Sequence, residues 1–280
     1  MAPHSESSFR LAPDTDPGSP DGPDRSTSLW HDTGRARSFD QAADEYDTAR
    51  PGYPPVLFDT IETLIGRPLH GADAVDVGAG TGIATRLLTD RGARVLAVEP
   101  GDGMAARFRR SAPHTPLVRA TGDFLPLADN SADLITYAQS WHWTNPLHSL
   151  PEALRVLRPD GLLALWWNIA DRTVPWVAAQ AERLHNTFGD SAHGAPGTTR
   201  RLPAGTPGAT EHRLHWTRRV PLDTHLANLS THSVFLTAAP DTAAAVLRRE
   251  RAALTEVFPD GHVTEEYVVE LISLRPRPTS

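Results

Sequence analysis

Between residues 74 and 168 the chain repeats one pattern, a short apolar run followed by an amphipathic stretch. Strand-like runs fall at 74–77, 94–98, near 117–120, at 133–138 and in "LLALWWN". Helical patterns lie near 82–91, at 102–111 and in "LHSLPEALRVLRPDG". Short strands that alternate with helices predict βαβ units, because parallel neighbours need a crossover and a helix is the usual one. The expected fold class is therefore α/β, a doubly wound, mostly parallel sheet with helices on both faces. Ligands of such sheets bind beyond the carboxyl ends of the strands.

The first of those ends carries "AVDVGAGTGIATRLL", in which Gly78, Gly80 and Gly82 alternate. Glycine permits positive φ and close approach to the main chain, so the stretch is either a bare strand-to-helix turn or a ligand cradle. The dinucleotide fingerprint is G-x-G-x-x-G, whereas the spacing here is G-x-G-x-G with Ile83 next. Glu99 ends the second strand, where a ribose diol could meet its carboxylate; NAD and S-adenosylmethionine both carry such a diol. Asp76, two residues before the loop, suits a cationic amino-acid moiety better than a pyrophosphate. Asp123 and Phe124, past the third strand, offer an acceptor for an exocyclic amine beside an aromatic face for a purine.

Residues 1–34 are rich in Pro, Gly, Ser and Asp and are expected to be a disordered tail, having little to bury. A second unit, 35–280, divides into a helical lid (35–70), a cofactor-binding core (71–170) and a C-terminal cap with the last strands (171–280). In the lid, Phe39, Ala42, Ala43, Tyr46 and Ala49 share a helix face, and "PPVLFDTIETLIG" makes a second helix. In the cap, a helix is expected near 176–188, a long loop or lid across 189–210, alternation in "HRLHWTRRV", a helix near 242–257 and a final strand "EEYVVELISL".

Composition narrows the chemistry. With no cysteine, thiolate metal sites and a cysteine nucleophile are excluded, and with every basic residue an arginine so is a lysine Schiff base. A net charge of −7 without a basic run argues against a nucleic-acid partner. No apolar run approaches the ~18–20 residues of a membrane span, and the N-terminus lacks the apolar core of a signal peptide, so no membrane partner and a cytoplasmic location are expected.

At this point the chain resembles the class I S-adenosylmethionine-dependent methyltransferases, over about residues 39–168. "VDVGAGTG" is similar to their cofactor loop, "VLAVEP" followed by Met104 to their ribose segment, and "GDFLPLADNSADLI" to their adenine segment. "FDQAADEYDTARPGYP" and "AQSWHW" resemble a small-molecule subgroup, as does "LWWN" with Asp171 and Trp176. The resemblance implies a seven-stranded Rossmann-like sheet with an antiparallel final strand, and S-adenosylmethionine as cofactor. It implies cofactor contacts by Asp76, Gly78, Ala79 and Gly80 at the methionine end, Glu99, Pro100 and Met104 around the ribose, and Asp123 and Phe124 at the adenine. Tyr46 and Arg50 would close over the cofactor, with Gln139 beside it. After "WHW" the subgroup carries an aromatic and an acid, where this chain has Thr144 and Asn145.

The acceptor side rests on Trp141, His142, Trp143 and Asn168. His142 is the candidate catalytic residue, as a base for an acceptor that holds a proton at neutral pH, or else as a wall of the pocket. Trp141, Trp143 and Asn168 are the candidate substrate contacts. The Asp/Asn-Pro-Pro-aromatic signature of enzymes that methylate amino groups of bases or glutamine is replaced by "QSWHWTN". The thirteen histidines are scattered, and His212 and His215 fall on opposite faces of a strand, so no metal is expected. The expected function is methyl transfer to a small organic molecule of secondary metabolism; the rival is a non-catalytic cofactor-binding sensor or scaffold. Oligomeric state is not legible.

Overall fold

The computed structural model describes residues 9–10, 50–189, 202–203 and 206–276. In chain order the elements are α1 (Pro55–Ile65), β1 (Asp73–Val77), α2 (Ile83–Asp90), β2 (Arg94–Val98), α3 (Asp102–Ser111), β3 (Leu117–Val118) and β4 (Ala132–Ala138). A 3₁₀ turn (Trp141–Trp143) precedes α4 (Pro146–Val156), β5 (Leu157–Ala170) and α5 (Pro175–Phe188). Then come β6 (Thr210–Pro221), α6 (Leu222–Ser230), α7 (Ser233–Thr237), α8 (Pro240–Val257) and β7 (His262–Leu274). Four helices, α1, α4, α5 and α8, begin on proline, whose fixed φ suits the first helical position and whose missing N–H would be unpaired there.

The seven strands form one sheet in the order β3-β2-β1-β4-β5-β7-β6. The pairs from β3 to β5 are parallel, and β7 is antiparallel to both β5 and β6. The doubly wound sheet and its antiparallel last strand are thus as expected. Strand alternation sends Val75, Val77, Ile135, Tyr137, Leu163 and Leu165 to one face, with Ala153 and Val156 of α4. Ala74, Leu134, Leu162, Ala164 and Trp166 go to the other, with Phe58 and Ile61 of α1 and Leu88 of α2. A large apolar side chain, fully buried, contributes about 1.5–3 kcal/mol.

The amino end of the sheet is closed by charge. Asp73 accepts from Arg94 Nε at 2.8 Å and Arg158 Nη2 at 2.9 Å, and Asp133 is bridged by Arg158 and Arg67, each at 2.6 Å. The cap is held by a buried polar chain. Arg183 pairs with Glu250, Gln180 lies within hydrogen-bond distance of Glu250 and His225, and Glu265 contacts both His225 and Arg218. It joins α5, α6 and α8 to the β6–β7 pair.

Several boundaries differ from expectation. Helix α4 stops at Val156, and residues 157–161 join β5, Leu157 pairing with Ala132 across a register shift. Strand β3 is two residues rather than four. Helices α6 and α7 were not foreseen, although Leu222, Leu226 and Leu229 have helical spacing; the polar His225 and Asn228 buried among them blur the stripe. The tail also needs correction at one point. Phe9 packs against the larger core cluster and the Arg10 carbonyl accepts the Ala128 N–H at 2.9 Å, an aromatic supplying burial its polar neighbours lack. The helix expected around Tyr46, the rest of the expected tail and most of the expected 189–210 loop lie outside the described residues.

Candidate active site

The three loop glycines have φ of 70, 57 and 89° and do three different jobs. A Cβ on Gly78 would lie 2.4 Å from Ser140 Cβ, and one on Gly82 would lie 3.0 Å from the Phe108 ring, so both are demanded by packing within the protein. A Cβ on Gly80 would meet none of the described residues within 4 Å. Of the three, only Gly80 turns its bare backbone to open space, the condition a ligand cradle requires. Ala79 turns inward to pack with Ala97 and Phe108.

Glu99, at the end of β2, is buried; its Oε2 accepts the Gly80 N–H at 2.9 Å and its Oε1 the Gly101 N–H at 2.7 Å. It ties the glycine loop to the start of α3. Pro100 follows, its carbonyl accepting from Arg119, and Met104 sits half-buried on the first turn of α3. Asp76 is fully buried on the α2 face, with Oδ2 taking the Thr85 hydroxyl at 2.6 Å and Oδ1 that of Thr136 at 2.9 Å. Burial pushes its carboxyl above the ordinary range, against the hydrogen bonds of both threonines.

Asp123 is fully buried. Its Oδ1 accepts the Asn145 N–H at 2.8 Å and the Ser149 hydroxyl at 2.6 Å, while Oδ2 has no partner among the described residues. A buried carboxylate oxygen without a donor is costly, so one belongs there when the site is filled. Phe124 stands beside it, half-buried, 5.8 Å from the His148 ring.

Past β4 the backbone strains. Gln139 has φ 56°, uncommon outside glycine, and its N–H donates to the Trp166 carbonyl. The turn it begins separates the "WHW" side chains. Trp141 is fully buried, edge-on to Tyr137 at 4.8 Å, so its place is in the core and not at a substrate, contrary to expectation. His142 and Trp143 remain half-buried with ring centroids 4.8 Å apart, and Trp167 Nε1 donates to His142 Nδ1 at 3.2 Å. Asn168, on the opposite face of β5 from Trp167, accepts the Trp216 indole N–H at 2.8 Å and leaves Nδ2 without a partner among the described residues.

Three side chains of the cap, those of Thr231, His232 and Asn228, were not anticipated at this end of the sheet. Arg50 Nε donates to Thr231 Oγ1 at 3.1 Å, just after α6. The pKa of His232, next in sequence, is lowered to about 3 by burial first and then by the charge of Arg50, so its ring is neutral near pH 7. Asn228 of α6 donates to the Tyr267 hydroxyl while its buried Oδ1 has no partner among the described residues. Only a helix assignment for residues 222–230 could have pointed to them. His212 and His215 do alternate across β6, and His215 pairs with Asp171 at 2.9 Å.

Comparison with known proteins fits this geometry. Residues 75–165, from β1 into β5, match the model of the methyltransferase domain. An uncharacterized methyltransferase of Mycobacterium tuberculosis is 34% identical over 218 residues, 78% of this chain and 85% of the relative. The chain belongs to the methyltransferase family. An uncharacterized methyltransferase of Schizosaccharomyces pombe is 32% identical over 154 residues, 55% of this chain and 61% of its own length. Among solved structures, one described as a type II methyltransferase from Anaeromyxobacter dehalogenans superposes with a TM-score of 0.65 at 27% identity, covering 82% of this chain and 99% of that one. The matched family segment ends inside β5, so the cap lies beyond it.

Proposed function

We propose that this methyltransferase uses S-adenosylmethionine to methylate a small organic molecule of secondary metabolism in the cytoplasm. The observation that carries the reading is the trio at the carboxyl ends of the strands: among the described residues, open space above Gly80, the Glu99 carboxylate beside it, and an Asp123 Oδ2 without a partner. Each suits one part of the cofactor. Gly80 admits a chain against the backbone, Glu99 lies where the ribose would sit, and Asp123 Oδ2 takes an exocyclic N–H of the adenine with Phe124 alongside. Arg50 is positioned to pair with a carboxylate.

Bound there, the cofactor supplies a sulfonium-activated methyl group. The chain's own part is alignment and exclusion of water, since in-line transfer gains mainly from holding donor and acceptor together. His142, Trp143 and Asn168 line the acceptor side in this reading. Support for a small-molecule acceptor comes from the net charge of −7, which disfavours a nucleic-acid substrate.

The test pairs two measurements. Titration calorimetry with S-adenosylhomocysteine and with NAD should give binding only for the first. Methyl-labelled cofactor incubated with extracted metabolites, and separately with RNA, DNA and protein, should label a small molecule. Tight NAD binding overturns the cofactor, label in a macromolecule overturns the acceptor class, and cofactor binding without turnover favours a sensor.

A further inference from the structure

His142 and Trp167 meet nitrogen to nitrogen. The indole Nε1 carries a hydrogen and no lone pair, so at 3.2 Å it can only donate, and the imidazole Nδ1 it faces must be bare. A neutral imidazole with a bare Nδ1 carries its proton on Nε2. We propose that Trp167 is a positioning residue that fixes His142 as the Nε2–H tautomer, so that His142 donates a hydrogen bond to the methyl acceptor and does not remove a proton from it. This rests on the reading of the site as a methyl-transfer centre.

The scaffold gives Trp167 little freedom to let go. It is 1% exposed within the larger core cluster, on a strand paired on one side to β4 and on the other to β7. A base at Nε2 needs that nitrogen bare at the start, which puts the proton on Nδ1. After accepting a proton the ring carries hydrogen on both nitrogens. In either state an Nδ1–H would point at the indole N–H, two donors facing each other beside the core, where an unmade hydrogen bond is most costly. Both ends of a base cycle at Nε2 therefore oppose the Trp167 contact.

The consequence concerns the acceptor. Its attacking atom holds a lone pair and no proton to lose at neutral pH, and a carboxylate oxygen fits best, because its second oxygen can take the His142 Nε2–H. A lone pair of the attacking oxygen forms the bond to the methyl carbon, and the carbon–sulfur pair stays on sulfur. No proton moves. A phenol or alcohol would release a proton that His142, so held, does not take.

The full chain labelled with ¹⁵N-histidine tests this without knowledge of the acceptor. Long-range proton–nitrogen correlation, with His142 assigned from the His142→Gln spectrum, should show an unprotonated Nδ1 and a protonated Nε2 at neutral pH. With tryptophan also labelled, a coupling across the hydrogen bond should link His142 Nδ1 to Trp167 Nε1. Trp167→Phe should abolish that coupling and mix the two tautomers. A proton on Nδ1 in the native chain, absence of the coupling, or an unchanged tautomer in Trp167→Phe overturns the proposal. Both the tautomer and the coupling are read in the native chain, so they decide the matter even if Trp167→Phe does not fold. Calorimetry with S-adenosylhomocysteine on the same sample separates the two levels: failure to bind overturns the methyltransferase site, whereas binding with the wrong tautomer overturns only the role of His142.

Discussion

Arg50 and Thr231 stand 181 positions apart in the chain, and the guanidinium of the first holds the end of the helix before the second, Nε to Oγ1 at 3.1 Å and Nη2 to the carbonyl at 3.4 Å. The contact links the segment entering the domain to the cap. An arginine so oriented can keep Thr231 and still offer donors to a ligand, because its fork carries five N–H groups.

Thr231→Val removes the Oγ1 acceptor and leaves the carbonyl. It should weaken S-adenosylhomocysteine binding by about 0.5–1.5 kcal/mol, the net scale of one hydrogen bond, and Arg50→Ala should cost about 1.5–3 kcal/mol, the scale for a charged group. Calorimetry on both variants checks the order. If Thr231→Val binds as poorly as Arg50→Ala, the cap contact and not the guanidinium is what the ligand needs.

Glu99→Ala should lose on two counts. The carboxylate accepts from Gly80 and Gly101, so its removal frees two backbone donors as well as the proposed ribose partner. Cofactor affinity should fall by about 1.5–3 kcal/mol, with a lower melting temperature in the absence of ligand. Unchanged calorimetry would take Glu99 out of the site.

Phe9 gives the tail a measurable anchor. Deleting residues 1–34 should lower the unfolding free energy by about 1–2 kcal/mol, from one partly buried aromatic and the Arg10 to Ala128 hydrogen bond. Phe9→Ser in the intact chain should reproduce most of that loss in a denaturant titration. Equal midpoints for all three proteins would show that the segment does not dock in solution.

The charged floor of the sheet should set acid sensitivity. Burial works to raise the Asp133 carboxyl, but the Asp73 N–H and the guanidinium groups of Arg158 and Arg67 outweigh it, and the net shift is below the ordinary 3.8. A carboxyl depressed on folding adds stability above its unfolded pKa and loses it as pH falls through the folded one. Asp133→Asn should therefore be less stable than the native chain near neutrality, with the difference shrinking below about pH 4 as the native carboxyl protonates. Thermal melts across that range check it; a difference that grows toward low pH would contradict the sign.

The parallel half of the sheet was legible because buried strands are continuous apolar runs whose ends are marked by Gly, Asp and Glu. The glycine spacing and Glu99 located the loop for the same reason. What the residues did not disclose was which glycine faces space, since Gly78 and Gly82 answer to Ser140 and Phe108, distant in sequence. Nor could "WHW" reveal that Gln139 starts a turn which buries Trp141 and leaves His142 and Trp143 half-exposed. The cap was the least legible part. Its helices bury Glu250, His225, Asn228 and Gln180 alongside leucine, so hydrophobic period and burial part company there.

Strand β7 is the last to be made yet lies between β5 and β6. During synthesis β6 therefore emerges with no sheet edge to join, and β5 waits with its outer edge open until β7 follows. Only the arrival of β7 ties both, through pairings of high sequence separation that are slow to form. The half of the sheet carrying the glycine loop can assemble before β7 is made, but the β5–β7–β6 half cannot. A nascent methyltransferase of this design thus passes through a stage with a nearly built parallel half-sheet, one unpaired strand and one open edge, the interval in which it most needs protection from aggregation.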